Sequence, residues 1–341
     1  MGWKDLFKSK APKAEPDPRL RWFGKLPTYA DYFSSATDQD WAVEFHEWVL
    51  KGYETYLMRQ REQPRESRLP SAAAILRLPK SGMTVFASIQ DYGGDMRGRP
   101  FPLCFYTGVP SVQWPGPTSA RVPAGLRVLR DLTDLREAVF HFFNAPGRFE
   151  AVFSGREIDL SGVDEQTSDT SWEPAARALS LAQWFDSAKA CLKVDDVQAW
   201  LRLATAWGDN IARLESDEFE PTLRFPLVMA IPFDVQVTGW LRWLERRMNL
   251  EERFVSLFVC KDEAGDTGRL TIVARELMTD DFLLISAHAC TLPYIDDLCV
   301  LGGSTLSATA EAPRAPAEPS DGGFVRAPAQ WADFVESAVS K

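Results

Sequence analysis

The stretch Ala72-Ala73-Ala74-Ile75-Leu76-Arg77-Leu78-Pro79-Lys80-Ser81-Gly82-Met83-Thr84-Val85-Phe86-Ala87-Ser88-Ile89 sets two apolar segments on either side of four turn-forming residues. Its simplest conformation is an antiparallel hairpin, because Pro79 and Gly82 punctuate the run and both arms are short and apolar. Phe101 to Gly108 supplies a third strand after a loop rich in Gly and Arg. Upstream, Leu20-Arg21-Trp22-Phe23-Gly24-Lys25 reads as another strand, which Leu26-Pro27 turns or extends. From Thr37-Asp38-Gln39-Asp40 a helix is expected, with Trp41, Phe45, Trp48 and Val49 on one face and Arg59, Arg61 and Arg65 near its negative end. Downstream, Leu126, Leu129, Leu132, Leu135, Val139 and Phe142 predict a helix that stops at Asn144-Ala145-Pro146-Gly147.

The second half repeats the alternation. Leu179, Ala182, Trp184 and Phe185, and then Val197, Trp200, Leu201, Leu203 and Ala204, have helical spacing. Leu223 to Ile231 reads as a buried strand, a helix from Asp234 carries Val237, Trp240, Leu241 and Leu244, and strands are expected at 254–260, 270–274 and 282–286. Helices interleaved with strands favour a layered α/β or α+β fold over a bundle or a β-sandwich, and the hairpins make its sheet mixed and partly antiparallel.

Five regions follow. Residues 1–19 read as a flexible basic tail, 20–150 as a first α/β region, and 151–174 as an acidic linker or surface loop. Residues 175–301 either complete the same sheet or form a separate domain, and 302–341 read as a disordered Pro/Ala-rich tail. The last tail closes with Trp331, Phe334, Val335 and Val339 on one potential helical face, a docking peptide or an appendage folded back on its own domain. In the first tail, Trp3, Leu6 and Phe7 among lysines suggest weak peripheral membrane contact. Trp3, Trp114 and Trp331 are expected to be the exposed members of a set of twelve tryptophans.

With 38 Lys plus Arg against 48 Asp plus Glu, the formal charge of −10 argues against nucleic acid as a partner. Five scattered cysteines without a CxxC pair suit reduced thiols, and no segment has the length or apolarity of a membrane span or a signal peptide, so a cytoplasmic location is expected. Catalytic signals are thin. None of His46, His141 and His288 has a metal-binding partner at a recognised spacing, and His46-Glu47 fails as a zinc-protease start because Leu50 stands at the fifth position. There is no phosphate loop, dinucleotide turn or nucleophile elbow. No catalytic residue, metal or cofactor is therefore expected. The Gly93-Gly94-Asp95-Met96-Arg97-Gly98-Arg99 loop reads as a structural turn before a strand.

Two of these segments carry a resemblance. Arg21-Trp22-Phe23-Gly24-Lys25-Leu26-Pro27-Thr28-Tyr29-Ala30-Asp31-Tyr32 resembles the opening signature of the TagF/ImpM family of type VI secretion accessory proteins, aromatic-Gly-Lys-Leu-Pro followed by Gly-Asp-aromatic. Ala30 stands where that family usually has Gly. Asp95-Met96-Arg97-Gly98-Arg99-Pro100-Phe101-Pro102-Leu103 is similar to the family's Asp-x-x-Gly-Arg-x-Phe-Pro-Leu. The resemblance spans residues 20 to about 145.

The resemblance implies a three-layer αβα sandwich, with flanking helices around the mixed sheet. It also implies a non-enzymatic cytoplasmic regulator that binds a forkhead-associated scaffold protein or another type VI subunit and restrains assembly after translation. From the residues themselves, Asp31 and Asp95 can cap turns or pair with Lys25, Arg97 or Arg99, and in the second case the two motifs meet as one surface. The expected partner-binding set is Trp22, Lys25, Asp31, Asp95, Arg97, Arg99, Trp331 and Phe334. The alternative is a metal-assisted hydrolase or phosphoryl-transfer enzyme using Asp31, Asp95 and Arg99.

Overall fold

The computed structural model describes residues 16–35, 38–114, 116–142, 146–163, 172–192, 197–213, 221–250, 255–261, 267–292, 294–298 and 331–335. In chain order its elements are β1 (Asp17–Gly24), β2 (Phe33–Ser34), α1 (Asp40–Glu62), β3 (Ala72–Arg77), β4 (Met83–Gln90), β5 (Leu103–Pro110), α2 (Val122–Glu137), α3 (Pro146–Phe153) and α4 (Glu173–Ala178). There follow α5 (Leu181–Leu192), α6 (Val197–Arg213), β6 (Thr222–Val228), α7 (Phe233–Glu245), β7 (Ser256–Lys261), β8 (Thr267–Val273), β9 (Ile295–Asp297) and α8 (Trp331–Val335). The fold is α/β.

The predicted hairpin forms. Ala72 faces Ile89 and Arg77 faces Thr84 across β3 and β4, and the Leu78 N–H donates to the Met83 carbonyl at 2.8 Å. Among the described residues, nine strands form one sheet in the order β2-β1-β5-β4-β3-β7-β8-β6-β9. Every neighbouring pair is antiparallel except β6 with β9, which is parallel. The seam between the two halves is β3 against β7, with Ala72 opposite Cys260 and Ile75 opposite Leu257, so strands from both halves share the sheet.

Period-two alternation divides the apolar side chains between two cores. Ala74 and Leu76 of β3 face one that includes Phe45, Trp48 and Tyr53 of α1. Ile75 faces the other, built with Leu126 and Leu129 of α2 and with the tryptophans of α5, α6 and α7. The β1 strand divides the same way, Trp22 to the α2 side and Phe23 to the α1 side.

Several local expectations need correction. Residues 282–286 are not a strand, and Thr279–Ile285 is a 3-10 helix with Phe282 to Ile285 all buried. A fully buried apolar run carries no periodicity to distinguish the two. Here the buried Asp281 carboxylate decides, accepting from both terminal nitrogens of Arg275 at 2.7 Å and from the Met278 N–H at 2.7 Å, which winds the chain. The stop signal at 144–147 is also a start: α3 begins at Pro146, where a missing N–H costs nothing. Residues 17–19, placed in the basic tail, belong to β1, because the Thr107 hydroxyl and the Asp17 contacts with Arg19 and Arg21 hold them there. Trp114 is fully buried rather than exposed. Trp3, the lysines of the first tail, most of the acidic 161–171 stretch and residues 299–330 lie outside the described residues. Among the described residues, no helix is long and apolar enough to cross a membrane.

Candidate functional site

The two motif segments meet at the Asp95 carboxylate. The loop joining β4 to β5 turns back at Asp95, whose carbonyl accepts from Gly98 N–H at 2.8 Å while its N–H donates to the Arg99 carbonyl at 3.2 Å. Its side chain completes the turn: Oδ1 accepts from the Arg97 and Arg99 backbone N–H groups at 2.9 and 3.1 Å. Asp suits this position because its short carboxylate reaches backbone donors two and four residues on. Oδ2 takes the Arg99 Nε at 2.7 Å and lies 3.3 Å from Lys25 Nζ.

The Asp95 side chain has no solvent exposure and that of Lys25 only 5%. Burial opposes the Asp95 charge, but the backbone donors of Arg99 and Arg97, with the Arg99 and Lys25 cations, outweigh it and hold the carboxyl at about 2. Lys25 also lies 4.3 Å over the Tyr32 ring.

The opposing segment is sewn to this turn through its backbone. The Met96 N–H donates to the Tyr29 carbonyl at 2.9 Å, and Arg99 Nη2 donates to the Ala30 carbonyl at 2.8 Å while pairing with Asp31 Oδ1 at 3.3 Å. The Asp31 carboxyl sits below its ordinary value, chiefly because its oxygen accepts the Tyr32 N–H and then because Arg99 is near. Gly24 makes the approach feasible: its φ is +152°, and a Cβ there would lie 2.2 Å from the Pro102 carbonyl oxygen. Beneath the charges, Phe101 meets Tyr32 edge-on at 4.8 Å and Phe23 at 5.5 Å, and Phe23 stacks on His46 at 4.0 Å. Burial first, and then Arg21, pushes the His46 imidazole down to about 4, leaving a neutral ring whose Nε2 hydrogen-bonds the Tyr106 hydroxyl at 2.6 Å.

Of the sequence-predicted set, Lys25, Asp31, Asp95 and Arg99 converge, and Arg97 stands exposed on the same turn. Five assignments are corrected. Trp22 is 5% exposed and packs edge-on against Phe149 at 5.5 Å, because strand alternation points it into the α2-side core. Trp331 and Phe334 are not a free docking face, since both are buried against Trp184, Trp200 and Trp240. Lys25 and Asp95, expected to be contact residues, are buried supports for the surface instead. The sequence reading missed the exposed apolar side chains beside them, Tyr32 at 45% and Met96 at 66%. Their signal was position: each directly follows a motif aspartate.

Arg99 sits between the carboxylates of Asp31 and Asp95, where a shared metal ion would have to lie. Asp95 has donors on both oxygens, and a carboxylate held at about 2 is a weak base near neutrality. Among the described residues, no group of three or more His, Cys, Asp or Glu is placed to hold a metal ion. What reaches solvent is Asp31, Tyr32, Met96, Arg97 and Arg99, a mixed apolar and charged patch on a hydrogen-bonded support. Comparison of the chain with protein-family models and with curated proteins finds no match.

Proposed function

We propose that the chain is a non-enzymatic, cytoplasmic regulator of a bacterial type VI secretion system. It acts by binding a forkhead-associated scaffold protein or an inner-membrane subunit and restraining assembly after translation. The observation carrying this reading is the joining of the two motif segments through Asp95, which turns two sequence signatures about 70 residues apart into one patch. The patch combines an aromatic, a thioether and a guanidinium in the open, a composition that favours protein contact.

The test is capture of candidate subunits by the full-length purified chain. Enrichment of the scaffold or an inner-membrane subunit is expected, with at least a ten-fold loss when Met96→Ala and Arg97→Glu are combined. Capture of none of them, or capture indifferent to both substitutions, overturns the reading.

A further inference from the structure

An open cleft lies on the α2 side of the sheet, apart from the Asp95 patch and from its proposed role. Helix α2 packs on β3, β4 and β5 and α7 packs on β6, and the strand pair β3 and β7 runs between them. Unlike the tryptophan groove, which Trp331 and Phe334 of α8 fill, the gap over this pair is open. Its floor is Ala73 opposite Val259, and its walls are Leu126 and Leu129 of α2 with Met229 and Phe233, which lead from β6 into α7. A methyl group at Ala73 leaves space that a larger strand residue would fill. The cleft has a volume of about 350 Å³, within the roughly 300–1,000 Å³ of sites that hold small molecules.

One end of this apolar cleft is polar. Ser71, directly before β3, lines it, and the Ser71 hydroxyl oxygen accepts from Arg136 Nη1 at 2.6 Å. Arg136 is 2% exposed, donates also to the Ile89 carbonyl at 3.0 Å, and has the Glu137 carboxylate 3.6 Å from its Nη2. With its oxygen taken by a buried cation, Ser71 has its own proton to give, and none of the described residues accepts it. A hydroxyl polarised by the guanidinium behind it is a stronger donor. The Lys261 N–H donates to the Ser71 carbonyl at 3.4 Å, which brings Lys261 to the same end, exposed and without an ion pair among the described residues. Around the cleft, the cations of Arg130, Lys261 and, behind Ser71, Arg136 outnumber the carboxylates of Asp134 and Glu137 by one.

We propose that this cleft binds a small apolar molecule bearing one carboxylate, its hydrocarbon body on Ala73, Val259, Leu126 and Leu129 and its carboxylate at Ser71 and Lys261. The carboxylate accepts the proton that Ser71 has to give and sets a negative charge beside Lys261, a charge-assisted bond that a neutral head does not make. A cationic head fails on both counts, since it carries no acceptor for Ser71 and repels Lys261. The body is held by removal of its apolar surface from water, which fixes no particular chain. Head charge and position at Ser71 and Lys261 therefore set the preference, and the floor at Ala73 sets the room.

The test titrates the full-length chain with octanoate, octanol and octylammonium, three probes with one body and different heads, by isothermal titration calorimetry. Octanoate is expected to bind saturably, one per chain, and about ten-fold more tightly than either of the others. Lys261→Gln and Ser71→Ala are each expected to weaken octanoate about five-fold and to leave octanol unchanged. Ala73→Leu, which fills the floor, is expected to remove binding of all three. Lys261 is exposed, so Lys261→Gln keeps the proposal open to refutation if Ala73→Leu does not fold. No saturable octanoate binding by the wild-type chain, equal affinity for the three heads, or octanoate affinity indifferent to both Lys261→Gln and Ser71→Ala overturns the proposal.

Discussion

The Asp95 turn and the tryptophan groove stand near opposite ends of one sheet. Six strand steps separate β1 from β6, roughly 29 Å at about 4.8 Å per step. The first is organised by directional bonds: one buried carboxylate collects two backbone N–H groups, a guanidinium and an ammonium, and no donor or acceptor of Asp95 itself is wasted. The second is organised by area, with tilted and edge-on indoles that close around α8. A bonded hub tolerates little change of geometry but presents its rim faithfully. An apolar cage is held by dispersion and burial, which are not tied to particular atoms.

Four measurements test that contrast. The largest effect is expected at Trp240, fully buried at the centre of the cage: Trp240→Ala should cost about 3–5 kcal/mol, read as a lower urea midpoint at unchanged m. An effect near zero would mean the cage contributes little to the fold. Next comes Gly24→Ala, which forces a left-handed residue and a clash with Pro102 and should cost roughly 1–3 kcal/mol. It should also abolish partner capture by the patch.

The third is a pH dependence. His46 titrates at about 4 in the folded chain and near 6.5 when unfolded, so the unfolded state binds more protons between those values. Stability should therefore fall as pH drops from about 6.5 towards 4, and His46→Gln should flatten that part of the curve. Below it, the Asp95 carboxyl at about 2, against its ordinary 3.8, should give a further loss between those two values that His46→Gln leaves intact. The smallest effect is expected for Arg97→Ala, which should shift stability within about 0.5 kcal/mol because the side chain is exposed and the Asp95 contact uses its backbone. A larger loss would make Arg97 part of the support rather than the rim.

Much of the local structure was legible beforehand because it is written in short-range chemistry. The hairpin around Pro79 and Gly82, the face of α1 carrying Trp41, Phe45 and Trp48, and the turn at Asp95 all depend on residues a few positions apart. The pairing of Asp95 with Lys25 and Arg99 was also within reach as one of several options, since opposite charges in two short loops restrict one another. Burial was not. Lys25 looked like a tethered surface cation and Trp22 and Phe334 like contacts, because an aromatic or a long cation reads the same in one dimension whether it faces solvent or a core. The run at 282–285 shows the same limit, apolar throughout and wound into a 3-10 helix whose start is held by Asp281, bonded to Arg275 and to the Met278 N–H.

Read alone, the chain shows most of its strands and helices in order, the hairpins that make the sheet largely antiparallel, and the charges that can join the motif loops. Only the tertiary structure decided that β3 and β7 unite the halves, that Asp95 and Lys25 lie beneath their surface rather than on it, and that the terminal aromatics fill a groove of the chain's own making. The reason is physical: conformational preference and turn chemistry act over a few residues, whereas burial is a property of surfaces brought together from distant parts of the chain.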